Sequence, residues 1–172
     1  MQVSLPGLLS QLLLGLVNGS FYAILSLGLA VIFGLLNVIN FAHGALFMMG
    51  AVLTWMAMTY WNVSYWVMLI AAPVVVGLFG ILIERFLLRW IYKLDHLYGL
   101  LLTLGLTLLI EGAFRSFYGV SGLAYDTPES LEGAMNLGFM MLPKYRVWVV
   151  VASLIVCFAT WFMIEKTRLG AY

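Results

Sequence analysis

The feature that most constrains this chain is its long charge-free beginning, because no Asp, Glu, Lys or Arg precedes Glu84. Over all 172 residues, 65% are hydrophobic and only 9% are charged. Water-soluble domains carry a charged fraction of about one quarter. A helical membrane span needs roughly 20 apolar residues, so a chain of this length holds at most about four or five spans. The composition therefore predicts an integral membrane protein embedded in a lipid bilayer.

The apolar segments favour helices over barrel strands. They are continuous and rich in Leu and Gly, whereas membrane barrel strands alternate apolar and polar residues over about ten positions. The near-neutral net charge of +1 argues against a nucleic-acid partner, which would require a clustered basic face. Cys157, the single cysteine, lies in an apolar run and is interpreted as a small packing residue.

Five helical spans are predicted. As a straight helix the first would be about 48 Å long, against a hydrocarbon core of about 30 Å. We therefore expect it to be tilted, kinked or preceded by an interfacial segment, with irregularity near Gly15 and Asn18. Ser-Gly, Thr-Pro and Leu-Pro pairs predict a loop over residues 119–144. The predicted spans cover about residues 5–36, 45–60, 66–87, 97–118 and 145–164.

The basic residues predict the orientation of these spans. Arg85, Arg89 and Lys93 follow the third span, so the positive-inside rule places this segment in the cytoplasm. The 119–144 loop is then outside, and Lys166 and Arg168 are inside, which agrees with the rule. Counting backwards places the N-terminus outside and residues 37–44 toward the inside.

Residues 37–44 form a polar interruption between two apolar runs, with Asn37, Asn40 and His43 before Gly44. One interpretation is an ordinary turn that satisfies its own backbone groups. The other is a discontinuous helix whose freed backbone and amide groups line a permeation path, to which Asn18 would also contribute. Metal binding is a minor third possibility, because no carboxylate or thiol lies at ligand spacing from His43 or His96.

Glu111 and Arg115 are four residues apart in the fourth span, which is the spacing of a helical ion pair. A structural pair is the simpler interpretation. Intramembrane charge is costly and usually faces protein or water, so a role for Glu111 in a substrate path is the alternative.

Glycines recur within the first and third predicted spans. Gly15 and Gly19 have the small-xxx-small spacing of closely packed membrane helices, and Gly28, Gly34, Gly77 and Gly80 add to the pattern. Close helix packing is the simpler interpretation of these glycines, and hinges for gating are the alternative.

Catalysis has little support in the sequence. No serine is paired with a recognisable base, and no glycine-rich phosphate loop ends in Lys-Ser or Lys-Thr. We therefore expect a chain without a cofactor or a catalytic residue. The alternative class is an intramembrane enzyme. Covalent labelling of a serine, or a metal that co-purifies with the chain, would support that alternative.

Four segments resemble parts of one family of membrane proteins. Residues 16–29 (LVNGSFYAILSLGL) and 33–44 (FGLLNVINFAHG) resemble the opening of the LivH-type permeases, the membrane subunits of bacterial ABC importers for branched-chain amino acids. Residues 101–106 (LLTLGL) resemble their fourth-span motif, and residues 166–170 (KTRLG) resemble the start of their cytoplasmic coupling segment. The resemblance covers essentially the whole chain.

The resemblance implies a single transmembrane permease domain over residues 1–172, the N-terminal portion of a longer family domain, in a multi-pass protein of the bacterial inner membrane. The fold predicted from the apolar segments is an all-α polytopic transmembrane helix bundle of about five spans, with a discontinuous helix near residues 37–44 and an ordinary turn there as the alternative. The expected path residues are Asn18, Asn37, Asn40, His43 and Glu111.

The implied partners are a homologous second permease subunit, two cytoplasmic ATPase subunits and a periplasmic substrate-binding protein. ATP hydrolysis would take place on the ATPase subunits, so the chain itself would not be an enzyme. The alternatives are a permease for urea or short amides and a truncated subunit that assembles without transporting. The expected coupling residues are Lys166, Thr167, Arg168 and Gly170.

Overall fold

The computed structural model describes residues 5–36, 40–91, 94–124, 127–138 and 140–166. Helix α3 (Tyr65–Ile83) continues directly into a π-helical segment, Glu84–Leu88, and then into the single turn α4 (Arg89–Ile91). A 3₁₀ turn, Glu129–Leu131, precedes a small antiparallel hairpin. The other elements are α1 (Leu5–Leu36), α2 (Ala42–Trp61), α3 (Tyr65–Ile83), α4 (Arg89–Ile91), α5 (His96–Tyr118), β1 (Ala134–Asn136), β2 (Met141–Pro143) and α6 (Lys144–Lys166).

Among the described residues, five helical stretches are long and apolar enough to cross a membrane. This confirms the all-α polytopic fold. The interruption predicted near residues 37–44 is shorter than expected, because α2 begins at Ala42, three residues before the predicted start of the second span. The Asn40 side chain accepts from the Ala42 N–H and so allows the helix to begin there. Residues 40 and 41 precede α2, while Asn37 and its two successors lie outside the described residues. The stretches are Leu5–Gly34, Ala42–Trp61, Tyr65–Ile91, Leu97–Tyr118 and Lys144–Lys166.

The chain divides into two compact units. Unit 1 comprises Met1–Leu27 and Thr127–Tyr172, and unit 2 comprises Gly28–Asp126. Each unit has its own helix contacts, described separately below. That residues 1–172 act as a single permease domain stays a prediction.

Helix α1 is continuous over 32 residues and passes through Gly15 and Asn18 without leaving the α-helical conformation. The break considered there is therefore not seen in the described backbone. The helix can continue without a break because serine side chains within it bond to carbonyl groups of the same helix. The Ser20 hydroxyl donates to the carbonyl of Val17 at 2.7 Å, and that of Ser10 donates to Pro6 at 2.8 Å. No interruption is needed to satisfy these hydroxyls.

In unit 1, α1 and α6 meet through a buried hydroxyl. Ser153 in α6 is only 2% exposed, and its Oγ donates to the carbonyl of Ser20 at 2.9 Å. Val17, one turn earlier in α1, is buried as well. Small side chains at such a contact let two membrane helices approach each other closely.

Unit 2 is organised around the pair α2 and α3. Asn62 ends α2 in the left-handed conformation, with φ of 49°, a backbone state that Asn tolerates better than most residues. The Val63 N–H then donates to the carbonyl of Ala57 at 3.1 Å, which closes the helix end. Ala57 packs with Met68 and Ala72 of α3 in a small apolar cluster.

The two ends of α5 are capped differently, by the carboxylate of Asp95 at the start and by the backbone of Gly119 at the end. At the start, the Asp95 carboxylate accepts from the Leu97 N–H at 3.2 Å, as an N-cap does. At the end, Gly119 has a positive φ of 78° and its N–H donates to the carbonyl of Arg115 at 2.9 Å. The predicted bounds of this span, 97–118, agree with the structure.

The hairpin in unit 1 was not predicted, since residues 119–144 were interpreted only as a loop. Its strands pair Ala134 with Pro143 and Asn136 with Met141. The turn is held by the Asn136 side chain, whose Oδ1 accepts from the Gly138 N–H at 2.9 Å. Strands of three residues are too short to show an alternating pattern in the sequence.

Candidate functional site

The polar interruption before α2 is held by Asn40. Its side-chain Oδ1 accepts from the Ala42 N–H at 3.0 Å, and its carbonyl accepts from the His43 N–H at 3.3 Å. These bonds satisfy two of the backbone donors that a helix start leaves without an intrahelical partner. The Asn40 amide oxygen is therefore engaged locally, at the start of α2.

Thr103 of α5 supplies the next acceptor along the start of α2. Its Oγ1 accepts from the Phe41 N–H at 3.3 Å, while its own hydroxyl is within bonding distance of the Gly99 carbonyl, at 3.0 Å. The side chain is only 1% exposed. Sequence reasoning missed this role, because Thr103 was noted only as part of a family motif. The available signal was that Thr103 and Thr107 are polar residues in a leucine-rich span.

His43 lies against Gly28 near the end of α1. A Cβ placed on Gly28 would lie 2.7 Å from His43 Cε1 and 2.9 Å from Nε2, which is closer than real contacts allow. Gly28 therefore gives the imidazole its room, as the packing interpretation predicted. By contrast, a Cβ at Gly15, Gly19, Gly34, Gly77 or Gly80 would meet nothing within 4 Å, so the described residues show no close packing at those positions.

A cleft of about 550 Å³ is lined by the middle turns of α2, the end of α5 and the loop that follows α5. Trp55 is fixed there by a bond from its indole N–H to the Ala124 carbonyl at 3.0 Å. Its ring meets Tyr118 edge-on, with centroids 5.6 Å apart. This cleft was not predicted from the sequence, because Trp55 and Ala124 are 69 residues apart. The other side chains of the lining include Met48, Val52, Phe114, Arg115 and Leu123.

The ion pair predicted from sequence spacing is present. Arg115 Nη2 lies 3.5 Å from Glu111 Oε2, with the Arg side chain 67% exposed and the Glu side chain 35% exposed. Arg115 also lines the cleft, whereas Glu111 lies one turn earlier on α5. The cleft therefore combines aromatic walls with one cation whose partner carboxylate is adjacent.

The structure brings some predicted path residues together and leaves others apart. Asn40 and His43 share the start of α2, where Thr103 contacts the preceding residue. Glu111 lies eight residues beyond Thr103, which is about 12 Å along α5. Asn18 is exposed on α1, and Asn37 lies outside the described residues.

Only one of the four predicted coupling residues lies within the described chain. Lys166 is exposed and is the last residue of α6. Thr167, Arg168 and Gly170 lie beyond the described residues.

Five candidate spans, buried hydroxyls that join helices and a cleft at one helix end define a polytopic membrane protein. The chain belongs to the family described as the branched-chain amino acid transport system / permease component, whose family model matches residues 11–172. This membership confirms the resemblance to LivH-type permeases and, with the five spans, the assignment to the bacterial inner membrane.

Two relatives illustrate the similarity. The chain is 27% identical over 173 aligned residues to the high-affinity branched-chain amino acid transport system permease protein BraD of Pseudomonas aeruginosa, covering 94% of this chain and 56% of BraD. It is 28% identical over 111 residues to the corresponding permease protein LivH of Escherichia coli K12, covering 60% of this chain and 36% of LivH. The chain thus spans about half the length of the first of these curated relatives. No solved structure matches it.

Proposed function

We propose that this chain is the membrane-spanning permease subunit of an ATP-driven importer that moves branched-chain or related amino acids across the inner membrane. The observation that carries the proposal is the family match over residues 11–172. Similarity to permease proteins whose names specify branched-chain amino acid transport supports the substrate class.

The proposed assembly contains a second, homologous permease subunit, two cytoplasmic ATPase subunits and a periplasmic binding protein. The permease catalyses no reaction, and ATP hydrolysis occurs on the ATPase subunits. Closure of those subunits changes the relative stability of an inward-open and an outward-open packing of the helices. Lys166, Thr167, Arg168 and Gly170 form the start of the segment that transmits this closure.

We further propose that Asn18, Asn37, Asn40, His43 and Glu111 lie along the substrate path. Two observations support this. The first is the polar start of α2, where the Asn40 side chain bonds to the Ala42 N–H and the imidazole of His43 lies against Gly28 of α1. The second is the cleft lined by Trp55 and Arg115, since aromatic walls with one cation suit an amino acid that has a branched apolar side chain and a carboxylate.

The experiment is uptake of labelled leucine into vesicles that contain the whole transporter, its binding protein and internal ATP. Unlabelled isoleucine and valine should compete with leucine, and urea or acetamide should not. Competition by urea or acetamide alone would reassign the substrate class. Absence of uptake, with loss of ATPase subunits from a pulldown on this chain, would instead support a non-transporting assembly subunit.

The path residues are tested in the same vesicles. Asn40→Leu and His43→Leu should each lower leucine uptake by at least about tenfold, because an intramembrane polar group that meets substrate is hard to replace. Thr160→Leu is the matched control, since the Thr160 hydroxyl donates only to the carbonyl of Val156 in its own helix. Unchanged uptake in both test variants would remove the two residues from the path.

A further inference from the structure

A second cleft, of about 580 Å³, lies at the far end of α3 and is lined by Arg85, Phe86, Arg89 and Trp90. We call it the arginine cleft. Both arginines are exposed, and the aromatic rings are exposed to an unusual degree, 68% for Phe86 and 78% for Trp90. Two guanidinium groups and two exposed aromatic side chains therefore share one small concave surface.

The backbone changes conformation at this point. Residues Glu84–Leu88 are π-helical, and the Arg89 N–H donates to the carbonyl of Glu84, five residues earlier. Short π-helical segments of this kind occur frequently at functional sites. Here Arg85 lies within the π-helical segment and Arg89 directly follows it.

The length of the helix fixes the depth of the arginine cleft. The helical stretch Tyr65–Ile91 contains 27 residues, and Tyr65 and Trp66 form an edge-on aromatic pair at its beginning. A hydrocarbon core of about 30 Å holds roughly 20 helical residues. Counted from Tyr65, the core ends near Glu84, so Arg85 lies at its boundary and Arg89 about 6 Å further out. That is the level of lipid headgroups.

Among the described residues, no ion pair neutralises the arginine charges at this level. Neither Arg85 nor Arg89 forms an ion pair with any described residue, although the carboxylate of Glu84 is adjacent in sequence. Phosphate matches the fork of an arginine side chain, which donates two parallel hydrogen bonds to it. The positive-inside rule assigns this end to the cytoplasmic leaflet, where anionic lipids are concentrated.

We propose that the arginine cleft binds the phosphate headgroup of an anionic phospholipid of the cytoplasmic leaflet. Arg85 and Arg89 hold the phosphate, while Phe86 and Trp90 lie against the glycerol and the first carbons of the acyl chains. Aromatic rings favour this interfacial depth. The site is independent of the transported substrate and gives α3 a fixed depth in the bilayer.

The test uses the intact chain in phosphatidylcholine vesicles in which one lipid at a time carries bromine, a quencher of tryptophan fluorescence. The chain has six tryptophans, so the Trp90 signal is taken as the difference from Trp90→Phe. Brominated phosphatidylglycerol should quench Trp90 more strongly than brominated phosphatidylcholine at equal mole fraction. Each arginine near an anionic surface contributes about fivefold to binding, so a preference of up to about 30-fold is expected.

The double variant Arg85→Gln/Arg89→Gln should remove this preference, while Arg85→Lys, which keeps charge but not the paired bonds, should retain part of it. Arg146→Gln is the matched control, because Arg146 is an exposed arginine at the start of α6 that does not line the arginine cleft. Helical circular dichroism and a monodisperse elution in detergent verify that each variant is folded.

Two outcomes would overturn the proposal. If inorganic phosphate at millimolar concentration abolishes the preference, the cleft binds a soluble anion and not a lipid. If the two brominated lipids quench Trp90 equally and the double variant loses the ATPase subunits in a pulldown, the cleft is a protein contact. Retention of the lipid preference in phosphate buffer, together with its loss in the double variant, is the expected result.

Discussion

Two fully buried hydroxyls, one in each unit, join helices in different ways. Ser153 donates to the carbonyl of Ser20, which lies inside a continuous helix. Thr103 accepts from the N–H of Phe41, which lies just before the first turn of α2 and has no acceptor there from its own helix. The Ser153 bond is added to a carbonyl that already has a partner within its own helix. The Thr103 bond instead gives the Phe41 N–H an acceptor that its own helix does not supply. The interrupted region should therefore be the more sensitive to substitution.

The largest effect is expected at Gly28, beside that interruption. Gly28→Leu would place a side chain where the His43 ring now lies, and such overpacking costs about 1–3 kcal/mol or more. Denaturant unfolding of the purified chain in detergent measures the loss. Gly34→Leu is the matched control, because a Cβ at Gly34 meets nothing within 4 Å.

A double variant sharpens this prediction. If the ring of His43 is the obstacle, His43→Ala should relieve part of the loss caused by Gly28→Leu, so the two substitutions would not be additive. Strict additivity would contradict the packing of His43 against Gly28.

The next largest effect is expected for Thr103→Val, which keeps the shape of the side chain but removes the acceptor for the Phe41 N–H. Leaving a buried donor unsatisfied costs about 1–3 kcal/mol. Unfolding in detergent should show this loss, and Thr103→Ser should restore most of the stability. Thr107→Val serves as control, since the Thr107 hydroxyl donates only to the Thr103 carbonyl at 2.8 Å in its own helix. Equal stability of Thr103→Val and the unmodified chain would show that water replaces the bond.

A smaller effect is expected for Ser153→Ala in unit 1. The Ser20 carbonyl keeps its place in a continuous helix, and hydrogen bonds between membrane helices contribute about 0.6 kcal/mol on average. The same unfolding measurement applies, with Thr160→Val as control for loss of a hydroxyl that bonds within its own helix. A loss larger than that of Thr103→Val would reverse the comparison between the two units.

The helices could be predicted from sequence because the membrane imposes their length and polarity. The α5 bounds, His96–Tyr118, agree with prediction to one residue. The position of the interruption before α2 was also predictable, from its residue types. Its partner was not, because Phe41 and Thr103 are 62 residues apart and no local pattern links them. The same holds for Trp55, whose partner Ala124 is 69 residues away.

The smallest effect on stability is expected at Glu111. Its ion pair with Arg115 is exposed and spans one helical turn, so Glu111→Gln should cost only about 0.2–0.5 kcal/mol. Leucine uptake should nevertheless fall severalfold if the carboxylate lies on the substrate path, because a path residue acts on the solute and not on the fold. Arg146→Gln, an exposed position at the start of α6, is the control for loss of a charge. If uptake and stability are both unchanged, the pair has only a structural role and Glu111 is removed from the path.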